Sequence, residues 1–448
     1  MNWFYERLKT FREKEAVIYA GKVFTYNDLL EEVEKLNHFY IEEGIERREV
    51  VAILSDYSPK SIALFLKLME NGNIIVPITT KNTEEIDMRI QEGYADRIIS
   101  IKNEVIEVKK IDSVKKHKHQ LIYRLFENNN AGLILFSSGS TGKPKAMLLD
   151  LTKIANNYVE SRALYRTIVF LMFDHIGGVN TLFHILSSGG CMVLTKERTP
   201  EEVAKLIQTY QVELLPTSPT FLNLMHLYEV FKRYDFSSLK QITYGTESMP
   251  ESLLKKLTLE LPGIKLKQTY GLSEMGIMST KSKSNDSLFM KIGGKSFQYK
   301  VIEGELFIKS DLAMLGYLNA PDPFTNDGWY ATGDLVEEDK DGYIKIIGRK
   351  KEFINVGGQK VLPTEVEGVI SEVEGVKDVV VKGEKNPIMG EVVVAYVSTL
   401  DNVDRKTIKK RIIDLCENRL EDYKVPVKIT FVENDMFGDR FKKNRFLI

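Results

Sequence analysis

The segment FSSGSTGKPKAML, residues 136–148, concentrates groups that hold an anion. Ser137, Ser138, Ser140 and Thr141 supply hydroxyls, Gly139 and Gly142 let backbone N–H groups approach closely, and Lys143 and Lys145 add positive charge. Phosphate is the chemistry this composition suits, although a Ser/Gly surface loop has the same look. A Walker A loop is excluded. That motif needs Gly where Ser137 stands and Ser or Thr where Pro144 stands, and proline prevents a helix from starting at the lysine. Two carboxylates follow in short glycine-bearing segments, Glu274 in YGLSE and Asp334 in YATGD. Taken alone, YGLSE reads as a turn before a polar helix, and Asp334 as an Asx-type turn residue.

The rest of the chain must position these groups. Its 448 residues allow two or three domains, and 43% hydrophobic with 28% charged residues is an ordinary globular composition. Lys plus Arg at 62 balance Asp plus Glu at 63, so no global basic field points to nucleic acid or an anionic membrane. Cys191 and Cys416 have neither metal nor disulfide spacing, the first residues are too charged for a signal peptide, and no apolar run reaches membrane-span length. A cytoplasmic protein is expected.

Thr25 and Asp28 form a possible capping box ahead of a helix with Leu29, Leu30, Val33, Leu36 and Phe39 on one face. Strands such as VVAIL, NIIVPI, RIISI, KAMLL, IVFLMF, CMVLT and VELLP then alternate with helical runs, which predicts an α/β fold of parallel sheets flanked by helices. From about 287 to 347 short alternating runs with glycines predict a small antiparallel sheet. After GRKK a unit of under a hundred residues reads as α+β. The expected division is 1–349 and 350–448, joined by a short hinge near Lys351.

Six segments now stand in one order: SSGSTGKPK at 137, FDHIGG at 173, YGTES at 244, YGLSE at 270, YATGD at 330 and GRKKEFINVGGQKVLPTEVE at 348, with FKKNR at 441 as a weaker seventh. In these the chain resembles the adenylate-forming superfamily of acyl-CoA and aryl-CoA ligases, carrier-protein adenylation domains and luciferases. The resemblance implies a two-step reaction: a carboxylate and ATP give an acyl-adenylate and pyrophosphate, then a thiol displaces AMP. It implies that residues 137–142 and Lys145 wrap the β- and γ-phosphates, that Glu274 ligates Mg²⁺, and that Ser273, where Thr is commoner, faces the α-phosphate. Tyr270, Gly271 and the backbone of Gly245, Thr246 and Glu247 would line the adenine slot. Asp334 would accept from the ribose hydroxyls, with Arg349 as a ribose or phosphate partner.

By the same resemblance, Lys351 is the hinge about which the small domain turns to present first a lysine and then a thiol tunnel. Gly357 and Gly358 would leave room for the pantetheine arm of CoA or of a carrier protein, although a tight strand turn explains them too. The adenylation lysine falls on Lys442, with Arg445 three places on, Lys443 as competitor, and Phe441 where the family has glycine. A basic tail without function is the alternative.

His175 in FDHIGG would gate or position the acid. Asp174 caps the following helix or, as in amino-acid-activating domains, pairs with an α-amino group; the cap is the expected role. The expected activity is an AMP-forming acid–thiol ligase that takes a small carboxylic acid, ATP and Mg²⁺, with CoA or an acyl carrier protein as acceptor. The alternatives are an amino-acid-adenylating domain loading a separate carrier and a non-catalytic nucleotide-binding relative.

Overall fold

The computed structural model describes residues 2–102, 104–111, 117–137, 143–160, 162–401, 403–433, 436–438, 441 and 443. Helix starts follow local chemistry. Thr25 and Ser58 each accept a hydrogen bond from the N–H three residues on, and the Asp28 and Ser61 side chains accept one from the cap's own N–H, so both starts are capping boxes. The helix Tyr26–Glu42 buries Leu29, Leu30, Val33 and Leu36 as its periodicity predicts, with Tyr40 fully buried where Phe39 is only half-buried. Pro59–Asn71 is apolar almost all round, and such a helix must be covered on every side.

Two seven-stranded sheets supply that cover. One runs Lys265–Gln268, Gln241–Tyr244, Leu214–Thr217, Arg166–Val169, Cys191–Leu194, Glu15–Tyr19 and Lys22–Thr25, parallel except for the last hairpin. The other runs Gly316–Tyr317, Lys145–Asp150, Gly132–Ser137, Ile74–Ile78, Val50–Leu54, Arg97–Lys102 and Val105–Lys110. Val17, Val169 and Met192 of the first share one core with Val51, Ile53 and Ile75 of the second, around helices Pro59–Asn71 and Ile176–Ser188.

The parallel expectation fails at one informative place. Lys145–Asp150 runs antiparallel to Gly132–Ser137, with Ser137 directly opposite Lys145. A strand thus lies on each side of the phosphate-loop candidate, and Pro144 immediately precedes a strand, where it is tolerated as it would not be at a helix start after the lysine.

Strands between Ser279 and Arg349 form the predicted antiparallel sheet, six strands in all among the described residues. Beyond it lie the helix Pro363–Ile370, the long hairpin Val376–Asn386 and Gly390–Thr399, the helix Arg405–Arg419 and the strand Lys428–Phe431. These enclose a core of their own, from Ile354 to Ile429, as an α+β unit. Among the described residues no helix is long and apolar enough to cross a membrane.

Candidate active site

The ends of these elements open onto one cleft of about 2550 Å³, well beyond the roughly 300–1,000 Å³ of a site for one small molecule. Its wall carries Ser137, Lys145, His175, Thr246, Glu247, Tyr270, Gly271, Ser273, Glu274, Asp334, Arg349, Lys351 and Lys443. Ser138, Gly139, Ser140, Thr141, Gly142, Lys442 and Arg445 lie outside the described residues.

Asp334 is the best-built member. It sits opposite Arg349 across the strands Tyr330–Glu338 and Ile344–Arg349 and is 4% exposed. The Tyr270 hydroxyl donates to its Oδ2 (2.6 Å) and Arg349 Nε donates to its Oδ1 (3.1 Å). A carboxylate offers about four acceptor sites, so these two donors orient the group and leave capacity for two further hydroxyls. Burial, then the Asp334 charge, holds the Tyr270 phenol well above its usual range, so it stays a donor.

YGLSE is not followed by a helix. Gly271–Leu272 and Gly276–Ile277 pair as a two-stranded hairpin, with Ser273 and Glu274 at its tip. Gly271 is required there, because a Cβ would lie 2.8 Å from the Gly276 carbonyl. The tip brings Glu274 against two tyrosines that the sequence did not single out. The Tyr317 hydroxyl donates to Glu274 Oε1 (2.9 Å), and Lys145 Nζ lies 5.0 Å above the Tyr317 ring. Burial, then Glu274, raises Tyr317 and pushes Tyr330 up to about 12. Tyr317 reaches the site because Gly316–Tyr317 pairs with Met147 and Leu148, a contact no local pattern announces.

No group of three potential His, Cys, Asp or Glu ligands occurs among the described residues. Glu274, one carboxylate at the hairpin tip on the cleft wall, fits an ion that brings phosphate and water ligands of its own, which is how magnesium is commonly held.

Gly245 is not on the cleft wall. Its lack of a side chain serves the neighbouring strand end, since a Cβ would sit 2.8 Å from the Thr269 carbonyl. Thr246 beside it has φ of 71°, a strained conformation for a β-branched residue at a cleft wall. The Glu247 side chain accepts from the N–H groups of Thr220 (2.7 Å) and Lys443 (3.1 Å). Burial keeps this carboxyl above the ordinary range, opposed by those hydrogen bonds.

His175, not Asp174, caps the helix Ile176–Ser188, its Nδ1 accepting from the Gly177 N–H (3.0 Å). A neutral ring so engaged carries its proton on Nε2. Asp174 is nearly fully buried and accepts from Arg89 Nη1 (2.7 Å), a residue 85 places away that the sequence reading missed.

Gly357 and Gly358 are also off the wall. With φ of 57° and 87° they form the two-residue turn between Ile354–Val356 and Gln359–Val361, the geometry that favours glycine in tight hairpins. A Cβ on Gly357 would lie 2.8 Å from Met389 Cε, whereas one on Gly358 would meet nothing.

The tail is held from both sides. Ser218 Oγ donates to the Phe441 carbonyl (2.7 Å), and the Phe441 ring packs on Phe170, Phe221 and Phe437 with centroids 5.0–5.5 Å away. Lys443 Nζ donates to the Val379 carbonyl (2.9 Å) and lies 3.4 Å from Asp378 and 3.6 Å from Glu367. Phe441 has φ of 48°. That left-handed backbone is one glycine adopts freely and costs another residue about 1–2 kcal/mol; here the aromatic cluster offsets it. Phe441→Ala, keeping the strain and losing the ring, is expected to loosen the tail more than Phe441→Gly, which loses both. C-terminal proteolysis rates should rank wild type slowest and Phe441→Ala fastest; a Phe441→Ala tail as resistant as wild type would show that the ring anchors nothing.

Comparison with known proteins identifies the family and the fold. The profile of AMP-binding enzymes matches residues 4–318, and that of the AMP-binding enzyme C-terminal domain matches residues 365–436. An indoleacetate–CoA ligase of Aromatoleum aromaticum is 26% identical, covering 94% of this chain and 91% of its own. A 2-succinylbenzoate–CoA ligase of Listeria monocytogenes is 24% identical over 96% and 95% of the two chains. The crystal structure of the anthranilate CoA ligase AuaEII in complex with anthranoyl-AMP superposes with a TM-score of 0.83 at 18% identity, covering 100% of this chain and 95% of that one. The family match spans most of the chain and includes the segments of Ser137, Lys145, His175, Thr246, Tyr270 and Glu274, and so the chain belongs to the AMP-binding enzymes of the adenylate-forming superfamily.

Proposed function

We propose that the chain is an AMP-forming acid–thiol ligase. A carboxylate oxygen attacks the α-phosphorus of ATP, the bond to pyrophosphate breaks, and an acyl-adenylate forms. The sulfur of a thiol then attacks the acyl carbon, the bond to AMP breaks, and the thiol proton leaves to solvent. The observation that carries this reading is the single cleft in which Asp334, oriented by Tyr270 and Arg349, stands with Glu274 and Lys145.

Each residue then has a task. Asp334 holds the ribose hydroxyls, Tyr270 and the strained Thr246 turn flank the adenine, and Arg349 completes the ribose or phosphate contact. Ser137 through Gly142, with Lys145, surround the departing pyrophosphate, and Ser273 faces the α-phosphate. Magnesium, when bound, would be held by Glu274 together with the phosphates, and supplies charge neutralisation. His175 positions the acid, and Lys442 stabilises charge on the reacting phosphate. The amino-acid-activating alternative is disfavoured, because Asp174 is already committed to Arg89.

For the second step the unit beyond residue 349 turns about Lys351, which lies in the short 3-10 turn Lys350–Glu352 ahead of the third core. The turn brings Gly357 and Gly358 to the cleft, where the pantetheine of CoA or of a carrier protein passes. Gly358→Asn tests this, since asparagine tolerates positive φ and its Cβ meets nothing in the present arrangement. We expect thioester formation from supplied acyl-adenylate to fall by about tenfold or more with adenylation retained. An unchanged second step would remove Gly358 from the tunnel.

The overall assignment is tested by acid-dependent exchange of labelled pyrophosphate into ATP, with thioester formation measured after CoA or a pantetheinylated carrier is added. Exchange with thioester formation is expected; ATP binding without exchange for any acid would leave the non-catalytic reading.

A further inference from the structure

Given the ligase reading, the cleft also carries information about the acid. Thr246 and Glu247 follow the strand Gln241–Tyr244, and Tyr270 follows Lys265–Gln268, so the nucleotide residues cap the C-terminal ends of one parallel sheet. From there the cleft runs back along a single face of that sheet. Alternate residues form its floor: Leu214 and Pro216, Gln241 and Thr243, then Lys267, in register from strand to strand. The helix Ile176–Ser188 faces this floor with Asn180, Thr181 and His184, spaced as one helical face, and the segment before Arg166–Val169 adds Arg162.

This compartment is not a hydrocarbon slot. Arg162 and Lys267 have no carboxylate within ion-pair distance among the described residues. Arg162 lies 4.3 Å over the Tyr158 ring and donates to the Asn157 carbonyl (3.1 Å). Glu160, also on the rim and within the field of Arg162, is bonded to Lys295. Thr167 Oγ1 on the same wall is buried and has no hydrogen-bond partner among the described residues. His184 is pushed down to about 4 by burial, then by Arg162 and Lys267, and is a neutral imidazole near pH 7. Burial, then Lys265 and Arg162, lowers Lys267 as well. Arg162 is exposed at the rim and Lys267 is half-buried in the wall, and two cations set along one stretch of cleft with no carboxylate partner among the described residues make that stretch suited to an anion.

We propose that the acid activated here bears a second, distal carboxylate, received in the cleft by Arg162 and Lys267 with His184 as a neutral hydrogen-bond partner. The reacting carboxylate then points toward the nucleotide end and the distal one is held along the sheet face. A plain long alkyl chain would leave both cations without a partner and is the poorer substrate.

The test is calorimetric titration of the full chain, with AMP present, using acids paired with the analogue in which one carboxylate becomes methyl: adipate with hexanoate, suberate with octanoate, terephthalate with para-toluate. At least one diacid should bind about tenfold or more tightly than its partner. The double variant Arg162→Gln, Lys267→Met should bring that ratio to about one while AMP affinity and melting temperature hold, and Lys267→Arg should keep it. No preference in any pair, or a preference that survives the double variant, overturns the proposal. Pyrophosphate exchange with the preferred diacid is read separately. Preference without exchange would sink the ligase reading and leave this one standing; exchange with monoacids and no diacid preference would do the reverse.

Discussion

Lys442→Ala should suppress acid-dependent pyrophosphate exchange by about 10²–10³, equivalent to some 3–4 kcal/mol, the usual loss when one preorganised donor to a transition-state oxyanion is removed. Thioester formation from supplied acyl-adenylate should change little, because that step no longer needs charge stabilised on a reacting phosphate. The residues on either side of Lys442 are both fixed. Phe441 is fixed by Ser218 and three aromatic rings, and Lys443 is fixed through both its N–H and its Nζ. The competitor lysine is therefore committed to Val379, Asp378 and Glu367. Lys443→Ala should leave the chemistry of exchange largely intact and chiefly weaken the join between the tail and the unit beyond residue 350. Equal losses in both half-reactions for Lys442→Ala would remove its assigned role, and a larger exchange defect in Lys443→Ala would transfer that role to Lys443.

Glu274→Ala should lower exchange by a similar factor of about 10² or more, with the magnesium concentration for half-maximal rate shifted upward. Folding should be retained. Glu274 is only half-buried at a hairpin tip and receives a hydrogen bond from Tyr317, so its removal should cost about 1 kcal/mol or less of stability. Thermal melting and the magnesium dependence of the rate separate the two effects. An unaltered magnesium dependence would exclude Glu274 as the ligand, while a large drop in melting temperature would mean that Glu274 holds Tyr317 and Tyr330 in place more than it serves the nucleotide.

Much of the site could be named from the chain because its chemistry is local. The Walker reading failed on Pro144, and the structure has a strand on each side of the loop, with Ser137 opposite Lys145. Thr25 and Asp28 announced a capping box that is present. The α/β fold, the small antiparallel sheet and the α+β unit were legible from runs of apolar residues with period two or near four. The YGLSE segment went wrong in one respect: its residues allow a helix after the turn, but Gly276 and Ile277 pair back onto Gly271 and Leu272. Asp174 went wrong because a capping role is judged from neighbours along the chain, whereas its partner Arg89 lies on another element.

The sequence alone determined the family's motif order, the element types, and which residues bear charge or hydroxyls near a phosphate loop. These depend on side-chain type and on neighbours a few residues apart. Only the tertiary structure decided what each group touches. It joined Tyr270 and Arg349 to Asp334, set Tyr317 beside Glu274, bound Asp174 to Arg89, and seated Phe441 among rings from distant segments. It also left Gly357 and Gly358 in a hairpin turn away from the cleft and gathered Arg162, Lys267 and His184 along one wall. The physical reason is that hydrogen bonds and ion pairs between residues tens to hundreds of positions apart depend on how sheets and helices stack, and that stacking leaves no periodic trace at either partner.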